Sequence, residues 1–453
     1  MRYTPNSDAD VREMLKATGL ASLDDLFSDI PEEIKSICLL PESPGMSEMA
    51  LRQDMESLAL ENLSAEDCPI FLGVGCYDHY IPAAVTHLLQ RSEFYTTYTP
   101  YQPEISQGIL QSIFEYQSLI CNLTGMDVAN ASLYCGGSAL AQACQVASET
   151  TKRKRILIPA TVNPDYTRIA QTYSISGSME IEIVPEKNGL VDCEAMEQTL
   201  DDTVAAVVIP YPNFYGNLED IGRLVQLAHD AKALAIMAVD PFVLALLKSP
   251  GEWGADIAVG DAQVLGNPMS FGGPHLGFMA VTNKLLRKIP GRLVGQTNDA
   301  NGNRMFVLTL QAREQHIRRE KANSNICSNE ALNALAASMY LAFVGPQGFK
   351  QAAMCSHHSA QYARNQLKEA GFQMLHDAPV FREFAVAVAD PAGLNRWLLD
   401  HGIIGGYEIE GGMILAFTEK RQREEIDELV SLMREYCFED AVTANDTEGG
   451  IDE

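Results

Sequence analysis

The chain has 453 residues, enough for one large and one small domain, each with a full core. With 46% apolar and 21% charged residues the composition is globular, and a formal charge of −27 argues against nucleic acid or an anionic membrane and favours a basic partner. No apolar run reaches the ~20 residues of a bilayer span, and the amino-terminal MRYTPNSDADVREML lacks signal and transit character, so a cytoplasmic location is expected.

Thr4 to Asp8 offers helix caps before Val11 to Leu15, and Leu23 to Ile30 continues the apolar spacing, so residues 1–60 read as a helical arm. Beyond Phe71 to Tyr80 comes the stretch 94–108, FYTTYTPYQPEISQG. Prolines at 100 and 103 remove backbone donors there, and Tyr95, Tyr98 and Tyr101 crowd together with Gln102 and Glu104. A rigid irregular loop of this chemistry suits either a subunit contact or the lining of a shared active site. Gly136-Gly137-Ser138 then opens a helix; its free N–H groups can bind an anion, and pyridoxal-phosphate (PLP) folds seat their phosphate at such a place.

Bare apolar runs follow at 155–158, 181–184, 205–209, 235–239, 256–259 and 277–281, with amphipathic helices between several of them. Runs without alternation indicate a mostly parallel sheet covered on both faces, which would carry its ligands beyond the strands' carboxyl ends. The fold class expected for residues 61–328 is a large α/β domain of the PLP-dependent transferase type, aspartate aminotransferase-like, fold type I. Residues 329–437 read as a linking helix and a small α+β domain with a hairpin turning at Glu410-Gly411-Gly412, and residues 438–453 as an acidic tail. The run 313–325 is basic in an acidic chain, and ion pairs with Glu314 and Glu320 are the simplest account of it.

Asp240 ends the run 235–239 one crossover before the glycine-rich stretch 260–277, where such enzymes hold the pyridinium nitrogen and the Schiff-base lysine. The lysine is absent. Gln263 and Val264 stand where a His-Lys pair is expected, and Lys248, the one lysine between Asp240 and Gly277, comes too early. Asp240, Gln263 and Val264 are therefore read as a vestigial cofactor pocket, with Asp240 kept as a cap or hydrogen-bond acceptor. The chain is expected to have no catalytic residue of its own and no covalently bound cofactor. Ten cysteines without a Cys-x-x-Cys pair, including Cys38, Cys121, Cys144 and Cys193 in apolar surroundings, read as reduced core thiols. Nine histidines, among them the doublet His357-His358, show no metal-ligand spacing, so no metal site is expected.

Five blocks carry a resemblance: FLGVGCYDHYIP (71–82), FYTTYTPYQPEISQG (94–108), LTGMDVANASLY (123–134), GDAQVLGNPMSFGGPHLGF (260–278) and REQHIRREKANSNICSN (313–329). Over nearly its whole length the chain resembles the N-terminal-half form of the glycine cleavage system P-protein family, decarboxylating glycine dehydrogenases. In that family the C-terminal half keeps the His-Lys pair and binds PLP, whereas the N-terminal half has lost it, in agreement with Gln263-Val264. The resemblance implies a separate PLP-bearing subunit 2, an α2β2 assembly, and a lipoylated H-protein as acceptor of the aminomethyl group left when glycine loses CO2. Loop 94–108 would then be what this chain adds to the partner's site. Two other readings stay open: a self-sufficient PLP enzyme using Lys248 or Lys284, and a catalytically dead scaffold or regulatory protein acting outside glycine cleavage.

Overall fold

Residues 5–37, 45–270, 275–322 and 324–439 are described in the computed structural model of the chain. Cys38, residues 271–274 of the glycine-rich stretch and the acidic tail from residue 440 lie outside them. Residues 1–63 form one unit and residues 64–453 another.

In the first unit, helix α1 (Asp8–Thr18) starts at Ser7, whose hydroxyl accepts the Asp10 N–H while the Asp10 carboxylate accepts the Ser7 N–H, a reciprocal capping box. Gly19 ends it with φ +75°, the left-handed turn that glycine adopts without a Cβ penalty. Helices α2 (Glu32–Ile37) and α3 (Glu48–Ala59) follow, and the run Leu23 to Ile30 forms a single 3-10 turn, Asp24–Phe27. None of these elements buries a side chain, and Met14, Leu26, Phe27, Ile34 and Met55 are all exposed.

The second unit carries a short helix, Ala83–Leu89, and then helix α4 (Gln107–Thr124), and is built on a seven-stranded sheet. Its strands are β1 (Val128–Ala129), β2 (Arg155–Pro159), β3 (Glu180–Val184), β4 (Val204–Tyr211), β5 (Leu234–Val239), β6 (Ile257–Asp261) and β7 (Gly277–Val281). Their spatial order is β1-β7-β6-β5-β4-β2-β3; β3 to β6 run parallel through β2, and β7 and β1 close one edge antiparallel. The bare apolar runs have their reason here, because the sheet is covered on both faces. Leu157, Val207, Met237 and Val239 pack into one core, and Ile156, Val208, Ile236 and Val259 into the other with Leu140 and Ala143 of helix α5 (Gly136–Thr151). Helices α6 (Pro164–Ser174) and α7 (Ile221–Asp230) supply further cover.

The antiparallel hairpin β8 (Leu293–Asn298) and β9 (Arg304–Thr309) is not foreseen by the apolar pattern. Its strands are half polar, and Val294, Phe306 and Leu308 bury themselves against Leu110 and Ile113 of α4. Helix α8 (Ala331–Glu369) links to the small domain and covers both helices expected at 329–343 and 359–370, with a break at Gly345, φ +61°, before Pro346. The remaining elements are β10 (Glu383–Ala387), α9 (Pro391–Asp400), β11 (Tyr407–Ile409), β12 (Gly412–Ala416) and α10 (Arg423–Arg434), with sheet order β10-β12-β11. The hairpin turns at Gly411, φ +77°. Phe384, Leu394, Leu415, Phe417, Ile426 and Leu429 make this domain's core.

Candidate functional site

The carboxyl ends of β4, β5 and β6 open into a cavity of about 80 Å³, lined among others by Tyr77, Asn163, Tyr166, Asp240, Val264 and Arg382. It has room for several water molecules. Asp240 leaves β5 and is held twice: Oδ1 accepts the Phe242 N–H at 2.9 Å, and Oδ2 pairs with Arg382 Nη2 at 2.6 Å. The first contact is the capping role expected of an aspartate ending a buried strand. The run after it forms a single 3-10 turn at Val243–Ala245.

Arg382 precedes β10 in the small domain and is only 1% exposed. Its guanidinium lies 3.5 Å from the ring centre of Tyr77 and 5.2 Å from that of Phe242, a planar cation between aromatic faces. Burial opposes its charge, but Asp240, Tyr77 and Glu383 outweigh that and hold its pKa above the ordinary value. The Tyr77 hydroxyl donates to Glu383 Oε2 at 2.8 Å, and the Val74 N–H donates to Oε1 at 2.6 Å. Burial raises the Glu383 carboxyl, as it does the Tyr77 phenol.

At the far side of the cavity Asp261 ends β6 and faces the start of α5. Its Oδ2 accepts the Gly136 N–H at 3.1 Å and pairs with His275 Nδ1 at 3.0 Å, while Oδ1 accepts the N–H groups of Gln263 and Leu276. A Cβ on Gly136 would come within 2.0 Å of the Tyr166 hydroxyl, so glycine is required for this close approach. Two donors of the Gly136-Gly137-Ser138 helix start thus meet internal groups, the Gly136 N–H the Asp261 carboxylate and the Ser138 N–H Cys135 Sγ.

Gln263 and Val264 take different roles. Val264 lines the cavity, whereas Gln263, fully buried, turns to the main chain of Tyr77. Its Oε1 accepts the Tyr77 N–H at 3.0 Å and its Nε2 donates to Tyr77 O at 3.1 Å and Asn267 O at 2.7 Å. Beside it His79 Nε2 accepts the Gly266 N–H at 3.0 Å, which requires the neutral ring, and burial lowers its pKa to about 4. Among the described residues no lysine lines the cavity. Lys248 instead lies 4.8 Å over the Trp253 ring.

This pocket does not fit PLP. The carboxylate for the ring nitrogen is engaged by Arg382, the helix start for the phosphate is engaged by Asp261, and Val264 offers no amine.

Loop 94–108 is a separate place, and none of Tyr95, Tyr98, Tyr101, Gln102 and Glu104 lines the cavity. All five are exposed, Tyr98 at 84%. The Tyr98 hydroxyl hydrogen-bonds Ser328 Oγ, and the Tyr101 ring lies 5.2 Å from His316 and 5.6 Å from the Arg292 guanidinium. Arg292 also donates from Nη1 to Asn329 Oδ1 at 2.8 Å and from Nη2 to Cys327 O. Blocks 94–108 and 313–329 thus form one surface. The ion pairs expected within 313–325 reduce to His316 with Glu314 at 3.7 Å; among the described residues none joins Arg318, Arg319 or Lys321 to an acid.

Asp240 and Val264 were legible in the sequence, whereas Arg382, Tyr77, Glu383, Asp261 and Arg292 were not. For Arg382, Glu383 and Asp261 the one signal was charge at strand ends, the Arg-Glu pair opening an apolar strand and the aspartate closing 257–261. Of the nine described cysteines, Cys68 and Cys144 are buried, five are half-buried and Cys327 and Cys355 are exposed, so the core-thiol expectation fails for the last two. Among the described residues no group of three or more His, Cys, Asp or Glu side chains is arranged to hold a metal ion.

A mostly parallel sheet with an aspartate ending β5 and a glycine-rich helix start at its rim defines the fold of type I PLP enzymes. Solved structures agree on the fold: an aspartate aminotransferase from Thermus thermophilus is 14% identical with TM-score 0.57 over 82% of this chain and 99% of that one. The match to a crystal structure of glycine decarboxylase, the P-protein of the glycine cleavage system, in inhibitor-bound form, is far closer: 42% identity and TM-score 0.89 over 96% of this chain and 100% of that one. Curated relatives named probable glycine dehydrogenase (decarboxylating) subunit 1 are 56% identical in Syntrophomonas wolfei (96% of this chain, 100% of the relative) and 52% identical in Carboxydothermus hydrogenoformans (96% and 99%). The family model for the glycine cleavage system P-protein matches residues 1–433, and the chain belongs to that family.

Proposed function

We propose that this chain is the coenzyme-free subunit of a decarboxylating glycine dehydrogenase and works with a second, lysine-bearing subunit in the glycine cleavage system. The observation that carries this is Val264 at the lysine position of a pocket already occupied by the Asp240–Arg382 pair. Bound on the partner, PLP supplies an electron sink for the carbanion left when glycine loses CO2, and the lipoyl arm of H-protein accepts the aminomethyl group. In this reading Tyr95, Tyr98, Tyr101, Gln102 and Glu104 reach across to the partner's site, where exposed hydroxyl, amide and carboxyl groups on a proline-stiffened loop can orient a substrate. The arm before residue 64, with exposed apolar side chains and no buried residue among the described ones, is suited to burial against that subunit in an α2β2 assembly. A self-sufficient enzyme using Lys248 is disfavoured by that residue's place over Trp253. Co-purification with the candidate second subunit, followed by glycine decarboxylation assays on each polypeptide and on the mixture, tests the proposal. Turnover in the mixture alone is expected, and turnover by this chain alone would refute it.

A further inference from the structure

Two side chains of the Asp240 cavity carry the charges that a coenzyme of this fold class would bring to it. Arg382 is a flat, delocalised cation lying on the Tyr77 ring with Nη2 2.6 Å from Asp240 Oδ2, the charge relation a pyridinium has with its aspartate and a stacking aromatic, although no guanidinium nitrogen makes a hydrogen bond. Across the cavity Asp261 is an anion at the amino end of α5, a 16-residue helix, accepting the Gly136 N–H at 3.1 Å where a phosphate would accept it. We propose that the pocket is self-liganded: Arg382 replaces the coenzyme's pyridinium, Asp261 replaces its phosphate, and the Arg382 arm clasps the small domain to the sheet without any ligand.

Loss of the lysine is then not what keeps coenzyme out. A phosphate entering the seat would meet the largely buried Asp261 carboxylate within a few ångströms, a like-charge contact. A ring approaching Asp240 would have to expel a guanidinium that is 1% exposed. The clasp is reinforced by the strap 71–80. Asp78 pairs with Lys420 at 2.6 Å and Arg421 at 3.0 Å, Phe71 N–H donates to Ile404 O at 2.9 Å, and Gln263 fixes the backbone of Tyr77, on whose ring Arg382 lies. The domain movement that ligand binding drives in many two-domain enzymes is thereby replaced by a fixed closed form.

The isolated full-length chain provides the test, so its outcome is independent of whether a second subunit restores activity. Thermal unfolding is followed in inorganic phosphate and in sodium chloride at matched ionic strength. Asp261→Ala vacates the seat, and phosphate should raise its melting temperature by about a few degrees over chloride while leaving the native chain unmoved. If Asp261→Ala does not fold, Asp261→Asn, which drops the charge but keeps an acceptor for the Gln263 and Leu276 N–H groups, carries the same expectation. A native chain that responds as strongly, or a variant that does not respond, overturns the proposal. In a second arm Val264→Lys is incubated with PLP, reduced with borohydride and mapped. No coenzyme is expected at position 264, and coenzyme fixed there would overturn the proposal equally.

Discussion

At the scale of single residues the account turns on Arg382. Removing one member of a buried ion pair strands the other charge, so Arg382→Met should cost about 3–5 kcal/mol by urea unfolding, and Arg382→Met with Asp240→Asn markedly less. Equal losses in the single and double variants would show that Asp240 and Arg382 are not coupled. His79 gives a pH prediction. Its folded pKa of about 4 is below the ordinary 6.5, so the unfolded chain binds the extra proton between those values. The neutral ring's stabilisation is complete above pH 6.5 and is lost as the pH falls towards 4, on the order of 3 kcal/mol. In His79→Gln the same titration should be shallower by that amount, and parallel curves would contradict the assignment. What the sequence revealed here was a lack: valine where an amine belongs. The replacement was hidden because Arg382 meets Asp240 only through the tertiary fold, and no local pattern marks a guanidinium that will be buried.

Elements were read best where their burial is uniform. Strands β2 and β4 to β7 were legible as bare apolar runs because each is buried on both faces. Hairpin β8–β9 escaped because the exposed half of β8, Gln296, Thr297 and Asn298, breaks the apolar pattern and leaves only Leu293 and Val294 of that strand buried. The two helices expected at 329–343 and 359–370 meet at the non-helical Gly345, so the pair was legible and only the start of the second, at Pro346 instead of 359, was missed. Gly345 has φ +61° and ψ 177°, a conformation essentially restricted to glycine, and open space around its Cα. Gly345→Ala should therefore cost about 1–3 kcal/mol through backbone strain alone, read as a lower urea midpoint. An unchanged midpoint would mean that the kink is not fixed by that backbone state. Loop 94–108 belongs to this scale too. Tyr98→Phe or Gln102→Ala should lower glycine decarboxylation by the reconstituted complex about tenfold or more while the two polypeptides still co-purify. Exchange of the glycine carboxyl carbon at the native rate would make the loop an interface and nothing else.

For the whole molecule, fold class and family were both legible: alternating strands and helices dictate a parallel sheet, and long specific blocks dictate kinship. The separation between loop 94–108 and the Asp240 cavity was not, because chain order says little about which rim of a sheet a loop will occupy. Two surfaces result, one around the buried Arg382–Asp240 pair and one exposed around Tyr98, and the proposed contribution of the chain to catalysis lies at the exposed one. The most direct measurement is borohydride reduction and peptide mapping of the active mixture of this chain and the lysine-bearing subunit, with glycine decarboxylation assayed in parallel. The account predicts label on a lysine of the second polypeptide alone and turnover only when both are present. Label on any lysine of this chain, or turnover in its partner's absence, would contradict it.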